Sequence, residues 1–179
     1  MKRYVPIVIG VLALCAVLYV GNEQMKQDGD TTIEGDKKTS TTPLTTSFTG
    51  KVVRNYEGEN VLEYGFDLPE TASTSIEKDG ALVKVVDGGT PVLAMYLSYE
   101  GGRGYSPADY ISNVIVPNVA AITEDGTATI GSREWTVVES EWSIWHIAKS
   151  DNGQWLLVVE NKKDVNDKAN PIIESIVTK

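Results

Sequence analysis

Residues 133–160 read REWTVVESEWSIWHIAKSDNGQWLLVVE, and the expectation for the whole fold starts from them. The stretch divides into three strands, Arg133–Glu139, Trp142–Lys149 and Gln154–Glu160, rich in β-branched and aromatic residues. All four tryptophans of the chain, Trp135, Trp142, Trp145 and Trp155, fall inside it. Asp151-Asn152-Gly153 separates the last two strands, and Asn-Gly accepts the positive φ of a tight hairpin turn. A two-residue turn at Asn152-Gly153 pairs Ala148 with Leu157 and His146 with Val159. One face then carries Trp142, Ile144, His146, Ala148, Trp155, Leu157 and Val159. The other carries Trp145, Ile147, Leu156 and Val158 among Ser143, Lys149, Gln154 and Glu160. A three-residue bulged turn would slide this pairing by one. Neither face is cleanly polar, so the sheet is expected to be covered on both sides.

Upstream, strands are expected at Phe48–Asn55, Val61–Leu68, Ser73–Lys78, Ala81–Val86 and Val92–Tyr99, punctuated by Pro69, Asp79-Gly80 and Asp87-Gly88-Gly89. The last of these, the longest apolar candidate, is placed centrally. Ser106-Pro107-Ala108-Asp109 has the chemistry of a helix start: a serine cap, proline at the first position and an acid at the third. That helix is expected to run to Val116 and stop at Pro117. Glu124-Asp125-Gly126 reads as a turn before a brief strand, Thr127–Ile130. A closing helix is expected within Val165–Val177, opening near Asn170-Pro171.

The N-terminus sets the compartment. Lys2-Arg3 precedes an uncharged run from Tyr4 to Val20. As a helix it is roughly 25 Å long, at the short end for a bilayer span. Basic residues precede the run and none follows until Lys26, so the N-terminus is expected in the cytoplasm and the rest outside. Three fates compete: a retained signal anchor, a cleaved signal peptide, and lipidation at Cys15. The retained anchor is preferred, because the run continues past early cleavage points without an Ala-x-Ala site. Leu12-Ala13-Leu14-Cys15 resembles a lipobox, but Leu14 is large and Ala16-Val17-Leu18 continues the apolar run. Residues 22–47 are poor in large apolar side chains and include a Thr/Ser tract around Pro43, as in a flexible spacer of roughly 28 Å root-mean-square span. The expected organisation is an anchor over 1–21, a linker over 22–47 and one domain over 48–179.

Composition excludes several functions. Net charge is −9, and after residue 44 the chain holds 11 Lys/Arg against 20 Asp/Glu. Such a domain repels phosphate backbones, so nucleic acid is not an expected partner. The one cysteine lies in the apolar run, so the domain carries no disulfide. One histidine, His146, cannot supply a zinc site or a nucleophile–base pair without partners. It is expected to be structural. Glu134, Glu139 and Glu141 cluster near a strand turn, where acids are more often a solvated edge than a glycosidase pair. No catalytic residue, metal ligand or cofactor is assigned. Candidate binding residues are three. Arg103 lies in the loop Gly101-Gly102-Arg103-Gly104, ahead of a helix start, where an anion could be held; a mobile loop is the plainer reading. Tyr105 and Trp145, with Tyr99, would make an aromatic patch, against the plainer reading of core packing.

The order of elements resembles the Mog1/PsbP family. The features that carry this are Phe66-Asp67-Leu68-Pro69, the strand Tyr96–Tyr99 leading to Ser106-Pro107, Gly131 opening the tryptophan-bearing meander, and the closing Ile172-Ile173-Glu174-Ser175-Ile176. The resemblance implies a Mog1/PsbP-like α/β/α sandwich and a binding role without catalysis of its own. The expected fold is therefore α+β, an antiparallel sheet flanked by helices and preceded by a transmembrane helix. The expected function is a membrane-anchored extracytoplasmic domain, not an enzyme, that binds a protein or envelope partner. The alternatives are an exported hydrolase using acids and a lipoprotein binding a small apolar ligand.

Overall fold

The computed structural model describes residues 43–55, 58–100, 106–119 and 121–179. Among them are ten strands and two short α-helices: β1 (Leu44–Asn55), β2 (Glu59–Pro69), β3 (Ala72–Glu77), β4 (Leu82–Asp87), β5 (Thr90–Tyr99), α1 (Pro107–Tyr110), β6 (Ile122–Ile130), β7 (Arg133–Ser140), β8 (Ser143–Lys149), β9 (Trp155–Lys162), α2 (Asn166–Glu174) and β10 (Val177–Thr178). Seven strands form one sheet in the order β3-β4-β5-β9-β8-β7-β6, and β1-β2-β10 form a second. The ladders are antiparallel.

The tryptophan-bearing stretch pairs in the expected register, Ala148 with Leu157 and His146 with Val159. The ladder ends at Lys149 and Leu156, and Ser150 closes the turn by donating its N–H to the Trp155 carbonyl at 2.9 Å. Gly153 supplies the positive φ, 71°. The two faces separate as the alternation requires. Ala148, Trp155, Leu157 and Val159 enter the larger core, with Val83, Met95 and Leu97. Ile147, Leu156 and Val158 enter a smaller core on the reverse face, with Val138 and Ile115. β9 is the middle strand of the seven, so its residues are buried on both sides; β5, expected at the centre, is its neighbour.

The expectation of a sheet flanked by helices is overturned. What covers the larger core is mainly another sheet: Val52, Leu62, Tyr64 and Phe66 of β1 and β2, joined by Ala169, Ile172 and Ile173 of α2. The described residues are predominantly antiparallel β, not an α/β/α sandwich. Helix formation fails where packing and propensity do not support it. Ser106 and Asp109 make the expected capping box, each side chain bonding the other's backbone N–H. Yet α1 keeps only four α-helical residues before a π-turn at Ile111–Ile115 and a 3-10 turn at Val116–Asn118. The run is β-branched, and Ser112, Asn113 and Asn118 donate side-chain hydrogen bonds to carbonyls four residues back, which loosens the ladder.

Three local expectations need correction. Glu124-Asp125-Gly126, read as a turn, lies inside β6, where Asp125 and Gly126 pair with Val138 and Val137. Pairing with a buried strand overrides turn chemistry there. Asn170-Pro171 does not open the closing helix: α2 starts at Asn166 and carries Pro171 within it, because the buried stripe Ala169, Ile172 and Ile173 must reach the core. Leu44–Ser47, read as linker, open β1 by pairing with β2 from Pro69 to Asp67. The expected anchor over residues 1–21 lies outside the described residues. Among the described residues no helix is long and apolar enough to cross a membrane.

Candidate functional site

The reverse face of the large sheet is only partly covered by the helical segment, and the uncovered part holds a pocket of about 130 Å³. Register builds it. Ala94 of β5 stands opposite Glu160 of β9, which stands opposite Trp145 of β8. Val86 and Pro91 from the β4–β5 hairpin close one end, and Lys84 and Lys162 flank it. Lys84 is engaged by Glu77 at 2.6 Å. Apart from Glu160 and Asn161 the remaining walls are aliphatic.

Glu160 is the chemical centre of this pocket. It is 9% exposed. Burial pushes its carboxyl above the ordinary range, against the opposing pull of hydrogen bonds from Ser143 and Trp145 and of the Lys162 charge. A carboxyl held this way is a polar group inside an apolar depression, positioned by two donors on the neighbouring strand. Sequence reading placed Glu160 as an ordinary polar residue; the signal it missed is an acid directly following Leu156-Leu157-Val158-Val159.

His146 behaves as expected of a structural residue. It is 3% exposed, packs edge-on to Trp135 at 6.2 Å between ring centroids, and its Nδ1 has no hydrogen-bond partner. Burial lowers its pKa to about 4, against the raising effect of Glu139. It is neutral at physiological pH and sealed from any substrate arriving by solvent.

Of the expected aromatic patch, Trp145 and Tyr99 are among the described residues, and they lie on opposite faces of the sheet. Trp145 lies half-buried against the smaller core. Tyr99 is on the opposite face, edge-on to Trp155 at 5.1 Å, with its hydroxyl donating to Asn60 Oδ1 at 2.6 Å. Arg103 and Tyr105 lie outside the described residues. Glu139 is engaged by Lys163 at 2.7 Å. Among the described residues no group of three or more His, Cys, Asp or Glu could hold a metal.

Trp142 is the aromatic residue that sequence reading misplaced. It was expected on the core face of a strand, but β8 starts at Ser143 and Trp142 sits in the β7–β8 turn, 71% exposed. Its backbone is pinned: the Ser140 hydroxyl accepts the Trp142 and Ser143 N–H groups, and the Trp142 carbonyl accepts the Lys163 N–H at 3.0 Å. An open groove of about 480 Å³ runs over Gly50 and Gly65 on the β1-β2-β10 sheet.

No protein-family model and no curated protein matches the chain. A solved structure from Bacteroides thetaiotaomicron VPI-5482 is similar at 11% identity and a TM-score of 0.43, over 65% of this chain and 45% of that one. The chain thus spans under half the length of that protein, and a likeness at this level carries no argument about function.

Proposed function

We propose that this is a membrane-tethered extracytoplasmic domain that binds a protein or cell-envelope partner and catalyses no reaction. The observation that carries the reading is the pocket beside Glu160. At about 130 Å³ it is well below the volume of small-molecule sites, and its aliphatic walls suit one projecting side chain of a partner surface. The buried carboxyl sits where a donor on that partner would meet it. The tether is supported by the apolar run from Tyr4 to Val20 with its preceding Lys2-Arg3. Hydrolysis by paired acids would need a second carboxylate, and Glu160 is the only acid lining the pocket.

The test is affinity capture with the full chain from membranes of the producing cell, comparing wild type with Ala94→Phe, which fills the pocket. A partner held by wild type and lost by the variant, at unchanged Tm, supports the reading. Equal capture by both removes the pocket from it. Ester or glycoside turnover that Glu160→Gln abolishes replaces it with the hydrolase, and a thermal shift with a small apolar ligand replaces it with the ligand-binding alternative.

A further inference from the structure

The strand register decides which loops share an end of the molecule. Ser143 pairs with Lys162, Ile122 with Ser140, and Ala72 with Asp87. Leu44 pairs with Pro69, and Thr71, close after it, donates its hydroxyl to Asp87 at 2.5 Å. The Trp142 turn, the end of β9, the β4–β5 turn and the start of β1 therefore lie at one end. The helical segment also runs toward this end, bringing Val116, 49% exposed, on the way to Ile122. The apolar run Tyr4–Val20 precedes β1, so the chain that carries it enters the domain at this end.

We propose that this end docks on the surface of the bilayer, with the Trp142 indole set among the lipid headgroups. The proposal rests on the tethered reading of residues 4–20. Three observations carry it. Indole is the side chain best suited to a membrane interface, because its apolar body and polar N–H match the two sides of that boundary. Two hydrogen bonds hold its backbone, its own N–H to the Ser140 hydroxyl and the Lys163 N–H to its carbonyl, and the Ser143 N–H also donates to Ser140, so insertion costs little ordering of the chain. Lys162, paired with Ser143 at the edge of this turn, has a stem long enough to carry its ammonium group to a lipid phosphate, while the Lys163 ammonium is held by Glu139 at 2.7 Å. A linker whose span is a few tens of ångströms keeps the domain near the membrane at a local concentration of about millimolar, so an intrinsically weak contact is enough. The acid excess of the domain directs this docking to zwitterionic rather than anionic lipid.

The experiment uses the full chain reconstituted into phosphatidylcholine vesicles, with and without brominated acyl chains. No tryptophan lies before residue 135, so tryptophan emission reports the domain and never the anchor. Expected are co-flotation with the vesicles, quenching of tryptophan emission by the brominated lipid, and loss of that quenching in Trp142→Phe, which floats equally well. Flotation without quenching, or quenching that survives in Trp142→Phe, overturns the docking and leaves the tether standing. Failure to float overturns both.

Discussion

At His146 a buried imidazole is held neutral, and linkage converts this into a pH dependence. The unfolded chain takes up its proton near pH 6.5, the folded chain only near 4. Stability from this group is therefore complete above pH 6.5, falls as pH drops toward 4, and is level below. The loss is about 3 kcal/mol, an order-of-magnitude figure from the shift. Glu160 acts in the opposite sense. Its folded pKa is raised, so it subtracts stability at neutral pH and gives it back as pH falls through the folded value. Urea unfolding of His146→Leu is expected to flatten the decline between pH 6.5 and 4. Glu160→Gln is expected to be the more stable protein at pH 7.5 and to match wild type near pH 4. Gly80 illustrates a different residue-scale constraint. It has φ 87°, and a Cβ there would run into the Lys51 carbonyl oxygen. Gly80→Ala is expected to cost at least about 2 kcal/mol in the same assay, since strain and clash add.

Among the elements, β6 carries the clearest stabilising opportunity. Gly126 is strand-paired with Val137, its φ is not positive, and the space around a Cβ is open. Gly126→Thr is expected to raise stability by about 0.5–1 kcal/mol, read as a shift in urea midpoint at constant slope. The same strand shows why a turn-like tripeptide misleads. Local propensity is worth fractions of a kilocalorie per residue, and pairing to a strand as buried as β7 outweighs it. The β8–β9 hairpin was legible for the converse reason. Its turn residues, its alternation and its burial all favour one register, and a slip by one residue would turn Trp155, Leu157 and Val159 out of the larger core. Of the helical segments only the start of α1 was legible: the Ser106–Asp109 box is local chemistry, whereas the start of α2 and the length of each helix depend on what lies beneath.

Across the whole molecule, the two sheets are joined by a small number of buried polar links that sequence pattern does not mark. Thr178 of β10 pairs with Tyr64, while its hydroxyl accepts hydrogen bonds from Arg133 at 3.1 Å and the Asp151 N–H at 3.0 Å. Ser175 does similar work at the end of α2, donating to the Ile172 carbonyl and accepting from the Asp67 N–H. Thr178→Val keeps the shape but strands both donors, and is expected to lower unfolding free energy by about 1–3 kcal/mol. Hydrogen exchange at Asp151 should accelerate in that variant while the β8–β9 ladder stays protected; equal acceleration throughout would mean the link is not local.

By itself the sequence determined the strand order from residue 48 to 99, the register of β8 on β9, the structural character of His146 and the apolar N-terminal run, because each follows from periodicity, turn chemistry or composition within a short window. Tertiary structure alone decided that a second sheet rather than helices covers the core, that Trp142 faces outward while Glu160 is buried, and that the Trp142 turn shares an end with the start of β1. Those outcomes depend on contacts between residues far apart in the chain, and no local window contains both partners.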